Sequence, residues 1–152
     1  MKNSIIYFDI DRTLIDAVKI RENTRSEIAK ESGISREKVE EYINEYVSTL
    51  AHKNGYSYME MLLHLSQKSG IDLERLKQAH DKLENFEKSL YDDTVKTLTI
   101  LKENNNQLGI YSEGWDDYQI NKLKLSGIYK FFDEDKIIIS RNKSTFKLVE
   151  KM

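Results

Sequence analysis

Residues 4–14 read Ser4-Ile5-Ile6-Tyr7-Phe8-Asp9-Ile10-Asp11-Arg12-Thr13-Leu14, and the fold follows from what this stretch is able to form. The run from Ser4 to Phe8 is continuously apolar and β-prone. It predicts a strand buried on both faces, the kind that parallel sheets contain. The strand ends at Asp9. A second run, Leu108 to Tyr111, ends at Ser112, and a third, Ile137 to Ile139, ends at Ser140. Each is followed by a polar loop and then a helical pattern. The outer parts of the chain therefore read as β-α units of an open parallel sheet, an α/β fold.

Between the first two strands, from Asp16 to Tyr91, the pattern is helical and no strand is convincing. This predicts a core domain made of residues 1–15 and 92–152, interrupted by a helical domain at 16–91. Thr24 and Glu27 stand at capping-box spacing, which predicts a helix start there. Ser35 caps the next helix, with Val39, Ile43, Tyr46, Val47 and Leu50 at apolar positions. Tyr56 to Leu65 supplies a third helix. Asp72 caps a fourth, which Leu73, Leu76, Leu83, Phe86 and Leu90 would line along one face.

Composition narrows the function classes. The 152 residues hold 24 Lys and Arg against 26 Asp and Glu, for a net charge of −2, so no electrostatic attraction favours nucleic acid or an anionic membrane. The partner expected is a small molecule. With no cysteine, disulfides and thiolate metal sites are excluded, and the cytoplasm is the expected compartment. No stretch approaches a membrane span, and the opening Met1 to Phe8 lacks the apolar length of a signal peptide. Proline is absent, so turns rely on Gly, Asn, Asp and Ser.

The chemistry concentrates where the first strand ends. Asp9, Asp11 and Thr13 form a D-x-D-x-T triplet, and ligand sites of open parallel sheets lie at the C-terminal ends of strands. Two carboxylates one residue apart share one site if the chain turns sharply after Asp9. One then serves as nucleophile and the other as proton carrier. Asp9 would attack phosphorus while ligating a divalent cation. Asp11 would protonate the leaving oxygen and later deprotonate the attacking water, and Thr13 would fix the loop with its hydroxyl.

An apolar strand followed by this triplet resembles the first motif of the haloacid dehalogenase-like hydrolase superfamily. The stretch from Tyr91 to Gly114, YDDTVKTLTILKENNNQLGIYSEG, resembles the helix and strand of the second motif. That resemblance places on Ser112 the role of hydrogen-bonding the transferring phosphoryl group. The third motif is a lysine after the next strand; Lys143 and Lys147 both answer to it, with Lys143 preferred. The resemblance implies a Rossmann-like core, a helical cap at the insertion, and Mg2+ held by Asp9 and Asp11. It also implies that Ile10, Arg12, Glu113 and Gly114 border the substrate.

The function expected is a phosphatase acting on a small phosphorylated metabolite through an aspartyl-phosphate. A phosphomutase, or a non-catalytic phosphate-binding or assembly module, is the alternative. Two departures stand out. Arg12 occupies a position where many relatives carry glycine, which either adds phosphate affinity or alters the turn. The family's fourth motif, a strand ending in metal-binding acids, has no counterpart before Met152. The expectation is a C-terminally incomplete chain with an exposed edge on the first strand, prone to self-association or completion there. Water, Glu113, Asp116 or Asp117 would then fill out the metal shell. His64 and His80 read as core-edge residues, His52 as part of an interhelical turn, and Trp115 as lining either the site entrance or an interdomain contact.

Overall fold

The computed structural model describes residues 4–52 and 56–140. In chain order these form β1 (Ile5–Phe8), α1 (Ala17–Ser32), α2 (Arg36–Ser48), α3 (Tyr58–Ser69), α4 (Leu73–His80), α5 (Leu83–Glu87), α6 (Thr94–Glu103), β2 (Gln107–Glu113), α7 (Asp116–Leu125) and β3 (Ile137–Ser140), with short 3₁₀ turns between some of them. The chain divides into two compact units, one of Met1–Asp16 with Leu90–Met152 and the other of Ala17–Ser89. No helix among the described residues is long and apolar enough to cross a membrane.

The first unit is the α/β one. Its sheet has the order β1-β2-β3 and both pairings are parallel, with Phe8 opposite Ile110 and Ile110 opposite Ile137. Leu108, Ile110 and Ser112 are all buried, and their period of two puts them on one face of β2. Gly109 is required on the opposite face, since a Cβ there would lie 2.6 Å from the Tyr7 ring and 2.8 Å from the Lys136 carbonyl. Leu98 of α6 and Leu123 of α7 are buried in the same unit. Leu14 and Ile15 are buried as well, and the Leu14 carbonyl accepts from Thr94 Oγ1 at 2.9 Å and from Tyr91 N at 3.3 Å. The loop after β1 is thereby tied to the start of α6.

β1 departs from the expectation of burial on both faces. Ile5 is 42% exposed and the other three residues are half-buried. Among the described residues β1 has a neighbouring strand on one side only, whereas β2 lies between two. An apolar run reports that a strand is buried somewhere but not which neighbours cover it.

Among the described residues the regular elements of the second unit are all helices. Ser35 caps α2, its side chain accepting from Lys38 N, and Asp72 caps α4 by accepting from Arg75 N. Ile28, Ile43, Leu62, Leu65 and Phe86 are fully buried and form its interior. Three sequence expectations are corrected. Thr24 does not start a helix; it lies inside α1, buried, with its hydroxyl donating to the Ile20 carbonyl at 2.9 Å. The expected fourth helix breaks at Asp81 and Lys82 into α4 and α5, which takes Leu83 off the apolar face and leaves it 54% exposed. Val47, expected on the buried face of α2, is exposed. His80 is buried, stacked on Tyr58 at 5.1 Å with its Nδ1 2.8 Å from Asp81 Oδ1. Both its ring and its polar edge serve the packing of this unit.

Candidate active site

The site is assembled at the C-terminal ends of β1 and β2. Asp9 follows β1 directly, and its Oδ1 accepts from the Ile10 N–H at 2.9 Å and from Ser112 Oγ at 2.8 Å. Ser112 is 1% exposed. A buried hydroxyl must find a partner, and the parallel register supplies Asp9 as that partner.

After Asp9 the chain folds back on itself. The Ile10 carbonyl accepts from Leu14 N at 3.0 Å and Ile15 N at 3.1 Å, while Arg12 N donates to the Ile15 carbonyl at 2.8 Å. Arg12 takes a left-handed backbone conformation, φ 63°, which explains why glycine suits this position. The bonds that close the loop are main-chain ones, and Thr13 is exposed upon it. This differs from the expectation that the Thr13 hydroxyl would do the fixing. Ile10 is fully buried, so it presents no side chain to a substrate; its N–H serves Asp9 instead. Arg12 and Glu113 are exposed.

Two residues that the sequence did not single out complete the arrangement, both from α7. Lys122 Nζ donates to both carboxylate oxygens of Asp11, at 2.7 and 2.9 Å. Gln119 Nε2 reaches Asp11 Oδ2 at 3.4 Å and donates to the Glu113 carbonyl at 2.6 Å. Gly114 makes room for that amide. Its φ is +145°, and an added Cβ would stand 2.6 Å from Gln119 Nε2. Lys122 is buried, and its ammonium lies 4.6 Å from the centre of the Tyr118 ring. Burial draws Lys122 below the usual lysine range, and the carboxylates of Asp11 and Asp9 pull the other way. The signal available in sequence was the three-residue spacing of Gln119 and Lys122 on the helix directly after the Ser112 strand, which puts both on one side.

The donors fit magnesium in kind. The Asp9 carboxylate and the carbonyl of residue 11 would offer hard oxygen donors, and magnesium is held by few carboxylates together with waters and substrate phosphate. The Asp11 carboxylate, expected as a ligand, is engaged by Lys122. Among the described residues no group of three or more His, Cys, Asp or Glu is arranged to hold a metal ion, and Glu113, Asp116 and Asp117 are exposed. Lys143 and Lys147 lie outside the described residues.

The family model described as haloacid dehalogenase-like hydrolase matches residues 6–147. The chain belongs to that family. Its fold is shared by a haloacid dehalogenase-like hydrolase of Burkholderia xenovorans LB400, with TM-score 0.64 and 23% identity, over 97% of this chain and 67% of that one. The HAD-hydrolase YfnB of Bacillus subtilis, solved bound to magnesium, superposes with TM-score 0.53 at 18% identity, over 91% of this chain and 64% of YfnB. A Thermotoga maritima protein described as a beta-phosphoglucomutase gives TM-score 0.50 at 17% identity, over 93% and 63% of the two chains. This family member thus spans just under two thirds of the Bacillus protein's length. No curated protein sequence matches it.

Proposed function

We propose that this chain carries the catalytic centre of a magnesium-dependent phosphohydrolase acting on a small phosphorylated metabolite. One observation carries the reading: Ser112 Oγ donates to Asp9 Oδ1 at 2.8 Å, at strand ends where a second carboxylate, Asp11, follows two residues on. An Asp9 oxygen attacks phosphorus and the ester P–O bond breaks, the leaving oxygen taking its proton from Asp11. Water then attacks the aspartyl-phosphate, Asp11 takes up the water's proton, and the acyl-phosphate P–O bond breaks to release phosphate and restore Asp9. Magnesium bound at the Asp9 carboxylate and the residue-11 carbonyl would supply charge neutralisation at the phosphoryl oxygens. Ser112 orients the nucleophile before reaction. The helical unit, inserted in the sequence between β1 and β2, corresponds to the family's cap and would select the substrate.

The test is hydrolysis of p-nitrophenyl phosphate by the full chain, with magnesium and after its removal by EDTA. Activity should require the metal, and Asp9→Asn should abolish it because an amide is a poor nucleophile. Asp11→Asn should cost about 10² to 10⁴ in kcat, the usual contribution of a general base, through slower hydrolysis of the aspartyl-phosphate. Near-normal turnover by Asp9→Asn, or hydrolysis indifferent to EDTA, would rule the proposal out.

A further inference from the structure

We infer that Lys122 is a positioning residue for Asp11, holding its carboxylate in the one orientation from which a proton reaches the leaving oxygen. The inference rests on the role proposed above for Asp11 and goes beyond it. Asp11 stands on a loop, and its side chain keeps 35% of its exposure. The terminal torsion of an aspartate is broad, so an unsupported carboxylate would sample many directions. Lys122 removes that freedom by engaging both oxygens, and Gln119, itself anchored on the Glu113 carbonyl, adds a third contact from the same helix.

The arrangement is costly as a fold device. The Lys122 side chain is 6% exposed, and burying an ammonium loses hydration that a single ion pair seldom repays. α7 already has the buried Leu123 to hold it. A lysine placed simply to neutralise the nucleophile would bond to Asp9, yet the hydrogen bonds of Lys122 go to Asp11. A carboxylate has about four lone-pair sites, and these three contacts leave acceptor capacity for a proton. Gly114 belongs to the same device, because a Cβ there would stand 2.6 Å from Gln119 Nε2 and push the amide from its place.

The experiment compares the parent chain with Lys122→Met and Lys122→Arg on two substrates. An alkyl phosphate needs its leaving oxygen protonated, whereas p-nitrophenolate departs without help. Lys122→Met should lower kcat/KM for the alkyl phosphate by about 10²-fold, the typical cost of a displaced reacting group. On p-nitrophenyl phosphate kcat/KM should stay within about 3-fold, since it reports only formation of the aspartyl-phosphate, where acid catalysis adds little to a departing p-nitrophenolate. There kcat should fall with the displaced base. Lys122→Arg should restore part of the alkyl phosphate rate. A crystal structure of Lys122→Met should show the Asp11 carboxylate turned away from its parent orientation. Equal losses of kcat/KM on both substrates, no loss on either, or an unmoved Asp11 would overturn the inference. Asp11→Asn in the same assays separates the two readings. If its kcat/KM fails to discriminate between leaving groups, the acid role of Asp11 is wrong, and the crystal structure alone decides whether Lys122 holds Asp11.

Discussion

Ser112 and Asp9 are 103 positions apart in the chain, yet the serine hydroxyl donates to the aspartate at 2.8 Å. The parallel pairing of β1 with β2 brings them together, and the burial of Ser112 keeps water from substituting for it. Ser112→Ala should therefore lower kcat on p-nitrophenyl phosphate by roughly 10- to 10²-fold, the worth of a hydrogen bond to a charged group. Its urea midpoint should move little. A variant that unfolds readily but turns over normally would contradict this.

Gly114→Ala tests the turn between β2 and α7. The backbone at φ +145° is one that residues with a Cβ rarely adopt, and the new methyl would press on Gln119. A destabilisation of about 1–3 kcal/mol is expected from the strained backbone, readable as a lower urea midpoint. An unchanged midpoint would mean the turn relaxes freely.

Arg12→Gly should act in the opposite direction. Arg12 is exposed and sits at φ 63°, a conformation costing a side-chain-bearing residue roughly 1–2 kcal/mol that glycine escapes, less the entropy glycine loses on folding. The net gain should be up to about 1 kcal/mol. Stability lost instead would show that the arginine side chain supports the loop.

Acid should weaken the helical unit through Asp81. Burial opposes ionisation of Asp81, but hydrogen bonds with His80 and Lys77 outweigh it and hold the carboxyl below its ordinary value. The folded unit therefore takes up this proton less readily than the unfolded chain. Its contribution is complete above the ordinary aspartate value and is lost as pH falls through the depressed one. Urea unfolding followed from neutral to acidic pH should show the decline, and Asp81→Asn should flatten part of it. Identical pH profiles for parent and variant would remove Asp81 from the account.

How much was legible depended on how local each signal was. The strands could be found because three short apolar runs end in polar residues, and Ser35 and Asp72 could be found because a cap acts within three residues of itself. Thr24 misled because the Thr-x-x-Glu spacing also occurs inside a helix, where the hydroxyl bonds back to the carbonyl four residues earlier. Leu83 and Val47 misled because periodicity gives a face but not the point where a helix breaks or its neighbour ends.

The sequence by itself determined the family, the parallel strands and the pair of aspartates with the serine, since all of these lie in short contiguous motifs. Only the tertiary structure decided what holds Asp11. Its partner Lys122 is 111 positions away, on a helix rich in lysine, and no local pattern distinguishes a lysine that will be buried from one left in water. That choice is made by packing: once α7 lies beside the strand ends, Lys122 either meets a carboxylate or remains an unpaired buried charge, and Asp11 is the carboxylate within reach.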